Sequence, residues 1–319
     1  MTLEERTSLS LEKLEDCMPK FSEDARTTRE IEREPLWLVM GVHKTMEWAT
    51  KTGKRRNAFG IVVSDERTQT VEFGKATERI RKIIVERLKT ETDLFVLFAR
   101  ATGSPSVRND DATYVFTERE FATNCLNSFF EPDRKFFAIR KIPKEEVAKF
   151  LVVSTYEKGF ERYIFDCGTY GIFEAREEEL VPRPGRNDAI ANPSLYRSLL
   201  ILKEASVGDF RFTTREEAER EMESEFRKAR LLVPVSRGKT PARDCVPSLS
   251  VKTENGKSEA TPVFTDMTEL RKVYSEKEYD GWVRSPKELL DVAEDLVVVN
   301  PSAVAYRMKK DEIRKILNE

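Results

Sequence analysis

Four cysteines and one histidine are the side chains of this chain best suited to covalent chemistry, and their spacing serves it poorly. Cys17, Cys125, Cys167 and Cys245 are scattered, with no C-x-x-C pair. His43 is the sole histidine, so a Ser-His-Asp triad, a Cys-His dyad or a multi-histidine zinc site would have to be built around it. No cysteine lies near it in sequence. Cys167 follows Asp166, whose charge opposes the lowered pKa that a reactive thiol needs. Cys245 stands near Arg243 and is slightly better placed. These two are the candidate reactive thiols, and the chemistry they would serve is sulfur transfer or redox exchange. No catalytic set, metal-ligand set or cofactor motif is legible. Gly238-Lys239-Thr240 has the ending of a phosphate loop, but the earlier glycine that motif requires would fall at Val233-Pro234.

Three further places could bind rather than react. Lys51 to Asn57 is a basic run that includes Lys54, Arg55 and Arg56, and it could touch phosphate or an acidic partner. It holds no aromatic residue for base stacking, so it reads first as a solvated loop, with nucleic-acid binding as an alternative. Asn300-Pro301-Ser302 follows a strand; Asn starts a turn and Pro fixes the chain direction, so this corner could shape a binding edge. Trp282 and Tyr306 stand near strand ends, where aromatic residues are usually core. Exposed together on one face, they would mark an interface.

The bulk composition limits the partners. The chain has 319 residues, 39% of them hydrophobic and 35% charged, with a formal net charge of -2. That is a folded composition with densely charged helix surfaces and no global attraction to nucleic acid. No charged-then-apolar leader opens the sequence, and no apolar run approaches the ~18 residues that span a bilayer. With unpaired thiols, the expectation is a cytoplasmic protein with no membrane partner.

The elements that must position these residues are organised by a repeated phrase. Ala112-Thr113-Tyr114-Val115-Phe116-Thr117 recurs as Ala260-Thr261-Pro262-Val263-Phe264-Thr265. Before the first copy the pattern predicts a helix from Leu36, strands at Phe59–Val63 and Thr70–Phe73 joined by a hairpin loop, a helix through Ile80, Ile83, Ile84 and Leu88, and a buried strand at Leu94–Phe98. Before the second copy it predicts a helix over Leu195–Glu204, a strand at Asp209–Phe212, a helix opened by the Thr214/Glu217 capping box, and a strand at Leu231–Val235. Pro234 suggests an edge or bulge there. Each copy ends a strand at a helix cap, Thr117 with Glu120 in one and Thr265 or Asp266 in the other. After it come a helix, a short strand, Pro143-Lys144-Glu145 or Pro286-Lys287-Glu288 as a helix start, two more strands and a charged helix. Val147 to Tyr156 reads as a helix or as a helix running into a strand. The predicted organisation is α+β: a polar arm at 1–35, a module at 36–182, a linker with a lead-in helix and strand at 183–214, and a second module at 215–319. The two modules are read as tandem and related, each a mixed sheet packed with helices.

The second module can be compared with a known family. It has the proline-containing strand, a turn glycine at Gly256, Thr261-Pro262-Val263-Phe264-Thr265, Ser285-Pro286-Lys287-Glu288-Leu289-Leu290, and Leu296-Val297-Val298-Val299-Asn300-Pro301. This string resembles the SseB-like family, the enhanced serine sensitivity proteins, over residues 215–319. The first module is similar as a degenerate copy, with Asp166-Cys167 where the second has Asn300-Pro301, and Tyr114 in place of Pro262. The resemblance implies a small α+β fold, a bacterial and mostly cytosolic setting, and no catalytic residues or cofactor to carry over. On these grounds the sequence reads as a non-enzymatic accessory protein that binds another protein. Thiol-dependent catalysis and nucleic-acid binding through Lys51–Arg56 stand as the alternatives.

Overall fold

The computed structural model describes residues 33–52, 54–56, 62–64, 67–107, 111–131, 133–169, 171–182, 190–207, 213–238, 245–253, 256–302 and 304–318. The fold is α+β. The chain divides into two compact units. One holds residues up to Leu97 with Thr113–Leu151 and Arg162–Pro182; the other holds Phe98–Ala112, Val152–Glu161 and Arg183 onward. Among the described residues, no helix is long and apolar enough to cross a membrane.

In the first unit, α1 (Leu36–Thr52) packs on α2 (Arg67–Thr90). Between them in sequence, β1 (Lys54–Arg56) pairs antiparallel with β2 (Val62–Ser64), Arg55 opposite Val63. Two expectations are corrected here. Thr70–Phe73 is not a strand but part of α2. Its apolar face, with Ile80, Ile84, Val85 and Leu88 buried, propagates at helical period, and each added residue gains a backbone hydrogen bond that a four-residue β-prone run cannot match. The basic run is not a loop either: Lys51 belongs to α1, and Lys54, Arg55 and Arg56 form β1. Phe59 to Ile61 lie outside the described residues.

The sheet of this unit is formed by β3 (Leu94–Ala99), β4 (Ala112–Phe116), β5 (Phe137–Ile142), β6 (Arg162–Phe165) and β7 (Phe173–Arg176), in the order β5-β3-β4-β6-β7. The Leu94–Phe98 run is therefore an interior strand, as its unbroken apolar character predicts. Helices α3 (Arg119–Ser128), α4 (Lys144–Val152) and α5 (Glu177–Leu180) complete the unit. The ambiguous stretch resolves as α4 followed by a π-helical turn at Val153–Glu157. Phe116, Phe137, Tyr163, Phe165 and Phe173 are fully buried and fill the core.

In the second unit, α6 (Pro193–Ala205) packs on α7 (Arg215–Lys228). The Thr214 hydroxyl accepts from the Glu217 N–H, so α7 begins where its capping box predicts. Strands β8 (Leu231–Ser236), β9 (Leu249–Thr253), β10 (Gly256–Val263), β11 (Tyr279–Arg284), β12 (Leu296–Val299) and β13 (Tyr306–Lys309) follow, with α8 (Met267–Arg271), α9 (Pro286–Val292) and α10 (Lys310–Leu317) between and after them. β9 turns into β10 around Gly256, whose φ of 116° only glycine adopts without strain. β10 and β12 are parallel; β12 and β13, and β11 and β8, are antiparallel. β8 reaches β10 through one bridge, in which Leu232 and Phe264 exchange both backbone hydrogen bonds at 2.9 Å. Counting that bridge, the order is β11-β8-β10-β12-β13, with β9 as an additional strand paired to the first part of β10. Pro234 explains why the pairing stops there. Residues 232 and 234 turn the same way along the strand, and Pro234 has no N–H to offer β10. Asp209 to Phe212 lie outside the described residues.

Candidate functional site

The Asn300 corner is built from the end of β12 and the end of β10. Asn300 adopts φ 47°, in the left-handed region that Asn tolerates, and its N–H donates to the Val263 carbonyl at 2.9 Å. Its side chain is fully buried. Asn300 Oδ1 accepts from the Thr265 N–H at 3.0 Å, and Nδ2 donates to Thr265 Oγ1 at 2.9 Å. Thr265 then donates its hydroxyl proton to Asp266 Oδ2 at 2.8 Å, and Asp266 Oδ1 caps α8 by accepting from the Glu269 N–H. Burial pushes the Asp266 carboxyl up from its ordinary pKa. Glu269 is itself buried, taking Tyr196, Lys272 and Ser302 on its two oxygens.

Asp166 holds the same position in the first unit. It has φ 51°, and its N–H donates to the Val115 carbonyl at 2.9 Å. Its carboxylate accepts both the N–H and the hydroxyl of Thr117, each at 2.7 Å. The expected Thr117/Glu120 capping box does not form. Glu118 is the N-cap of α3, without a side-chain cap bond, and Thr117, one residue earlier, bonds Asp166 instead. The Asn/Asp difference follows from counting protons. A threonine hydroxyl has one to give. Where Asp266 takes it, the corner residue must donate, and Asn can. Where Asp166 takes it, the corner residue must accept.

Asn300→Asp is therefore expected to destabilise the second unit by about 2–3 kcal/mol, since two buried carboxylates would compete for one proton. The urea unfolding midpoint measures this. Adding Asp266→Asn should recover part of the loss, as a double-mutant cycle reads it. Additive losses would show that the two residues do not share Thr265.

A second site lies in the first unit and gathers residues that are distant in sequence. The β6–β7 turn approaches α1 closely at Gly171, where a Cβ would stand 3.0 Å from the Trp37 carbonyl and 3.2 Å from the Gly41 nitrogen. This closeness seats His43 edge-on over Phe173, ring centroids 5.3 Å apart. Beside them is a polar cavity of about 340 Å³. Arg81 of α2 lies over the Phe173 ring at 4.8 Å, forks onto Glu179 at 2.6 and 2.8 Å, and donates to the Glu174 carbonyl at 2.7 Å. Glu47 takes Lys51 at 2.8 Å and Lys44 at 3.5 Å. Burial, with Arg81 and Lys44 beside it, lowers the His43 pKa to about 4 although Glu47 opposes the shift, so the ring is neutral near neutral pH. The sequence draws attention to His43 only as an isolated histidine. Its one local signal was Glu47 at i+4; the residues from α2, β7 and α5 come together only in the fold.

The remaining candidates are dispersed. Trp282 is half-buried on β11, opposite Val233, with Arg284 stacked on its ring at 3.4 Å. Tyr306 is half-buried on β13, at the other end of the strand order. The two do not share a strand edge. Pro301 is half-buried beside Asn300. Cys245 is buried. Cys167 is partly exposed and hydrogen-bonded to Cys125, and that bond, with burial, pushes the Cys125 thiol up and away from thiolate formation. Cys17 lies outside the described residues, as do the side chains of Lys54, Arg55 and Arg56. Among the described residues, no three His, Cys, Asp or Glu side chains are placed to hold a metal ion.

The elements around the Asn300 corner fall within a recognised stretch: residues 209–315 match the family model of the SseB protein N-terminal domain. The match lies in the C-terminal half. No curated protein and no solved structure matches the chain. The SseB match begins six residues before the 215 expected from the motifs and takes in β8 to β13 with their helices. The Asn300–Thr265–Asp266 network thus ties together the two strands that form the parallel pair of the SseB domain.

Proposed function

We propose that this chain is a non-enzymatic accessory protein that binds another protein through its SseB domain. The observation that carries the reading is an open groove of about 990 Å³ crossing β10, β12, β13 and the start of α10. Arg307, Lys309 and Arg314 line it together with Glu259, Glu294 and Asp295, with Leu296 as its apolar residue. Charges of both signs suit a polar, reversible protein interface better than a polyanion, which would call for one sign. β13 is also the last strand of the sheet order, where an added strand could pair at Arg307, the Lys309 N–H being taken by Glu312.

The same reading takes the chain as a tandem of two related modules, 36–182 and 215–319, after an arm at 1–35 and with 183–214 joining them. Strand orders that match apart from the extra β9, and the equivalent Asp166 and Asn300 corners, support it. A bacterial, cytoplasmic setting goes with it.

The test is affinity capture from an extract of the source cell, comparing the wild type with an Arg307→Glu/Lys309→Glu variant. Both side chains are exposed, so the variant should fold. A protein enriched by the wild type and lost with the variant is the expected result. No enrichment, or enrichment that survives the charge reversal, would sink the reading.

A further inference from the structure

The His43 cavity belongs to the first unit, and its chemistry is independent of the groove. Its acidic residues are already committed. Glu179 is forked by Arg81, Glu47 is held by Lys44 and Lys51, and Glu174 Oε1 takes Arg162 at 3.0 Å. Its basic residues are not exhausted. Arg176 lies exposed on the lining, with its own backbone N–H bonded to Glu179, and no bond to the Arg176 guanidinium is found among the described residues. The lining therefore carries four cations against three neutralised carboxylates. His43 is 3% exposed, and its Nε2 is buried with no hydrogen-bond partner. A buried polar atom left unpaired costs about 1–3 kcal/mol, so its retention beside a polar cavity calls for an occupant. The volume is in the range of small-molecule sites, roughly 300–1,000 Å³. Ile172 and Phe173 supply an apolar wall.

We propose that this cavity binds a small anionic compound through a carboxylate or phosphate group. Arg176 attracts the anion, with Lys44 and Lys51 beside it, and the neutral imidazole of His43 hydrogen-bonds it through Nε2. Ordered water alone is the competing occupant.

The chain offers a direct reporter, since His43 is its only histidine. In full-length protein freed of any affinity tag, the imidazole Cε1–H gives one NMR signal that needs no assignment. Sodium phosphate and sodium acetate are titrated separately near neutral pH, with ionic strength held constant by sodium chloride. The expected result is a saturable shift with one of them below roughly 20 mM, which also decides between phosphate and carboxylate. Arg176→Gln should weaken that affinity at least about tenfold while leaving the imidazole signal in its folded position. Absent or non-saturating shifts with both salts, as water alone would give, overturn the proposal. So does an unchanged affinity in Arg176→Gln.

Discussion

Replacing Arg197 with methionine is expected to destabilise the second unit by about 3 kcal/mol, the lower end of the range for breaking a buried ion pair. The Arg197 side chain is 9% exposed, in α6 among the buried Leu200, Ile201 and Glu204. Its Nε lies 2.8 Å from Asp111 Oδ1, and its Nη1 lies 2.9 Å from Glu161 Oε1 and 2.8 Å from the Gly159 carbonyl. One guanidinium thus fastens two separate segments, 98–112 and 152–161, to α6 within the same unit. Methionine fills a similar volume, so the loss reads the removed charge more than a cavity. Glu161 is half-exposed and regains water, which keeps the cost from the top of the range; Asp111 is three-quarters buried and does not. Arg197→Lys should recover less than half of the loss, because an ammonium cannot serve Asp111, Glu161 and the Gly159 carbonyl in one plane and also face Glu221, 3.9 Å from Nη2. Denaturant unfolding of the three proteins measures this. Equal stabilities for Lys and Arg would mean that charge alone, without the fork, holds the segments.

Much of this architecture is legible in the sequence wherever a local rule governs it. Thr214 and Ser285 open helices as their capping boxes predict, and Leu94–Phe98 runs through the interior of its sheet. The rule fails where a neighbour distant in sequence competes for the same atoms. Thr117 and Glu120 have capping-box spacing, yet Thr117 bonds Asp166, 49 residues on, and the helix starts from Glu118. Thr70–Phe73 has strand-like residues, but the helix that follows extends through it. Charged residues are the hardest to place. Arg197 and Glu204 both lie in α6 among Leu195, Tyr196 and Leu199–Leu202, and both are buried. A helix apolar nearly all round is the available signal that its charges must be paired or neutral. The His43 cavity has no comparable signal, because its cations arrive from three elements that no periodicity links.

Glu204 leads to the second large effect, which depends on pH. Its carboxyl is buried, accepts the Ser106 hydroxyl at 2.7 Å, and leaves Oε1 without a partner. Burial raises its pKa from 4.5 to about 8, against the Ser106 and Val107 hydrogen bonds that lower it. At pH below 4.5 the group is protonated in folded and unfolded chains alike and adds no pH dependence. As pH rises from there, the unfolded chain releases the proton and the folded chain keeps it. Stability then falls, by at most about 1.4 kcal/mol per pH unit, until the folded group ionises near pH 8. Glu204→Gln keeps an acceptor for Ser106 and cannot ionise. It leaves an amide N–H₂ where Oε1 was unpartnered, a cost that does not change with pH. Whatever that constant cost, the variant should therefore gain on the wild type by about 3–4 kcal/mol between about pH 5 and about pH 8. Unfolding free energies across that interval give the slopes directly. The decisive quantity is the difference in slope, since it is untouched by any constant packing cost. Parallel pH profiles would mean that Glu204 is ionised in the folded chain and that an unseen cation or water path compensates it.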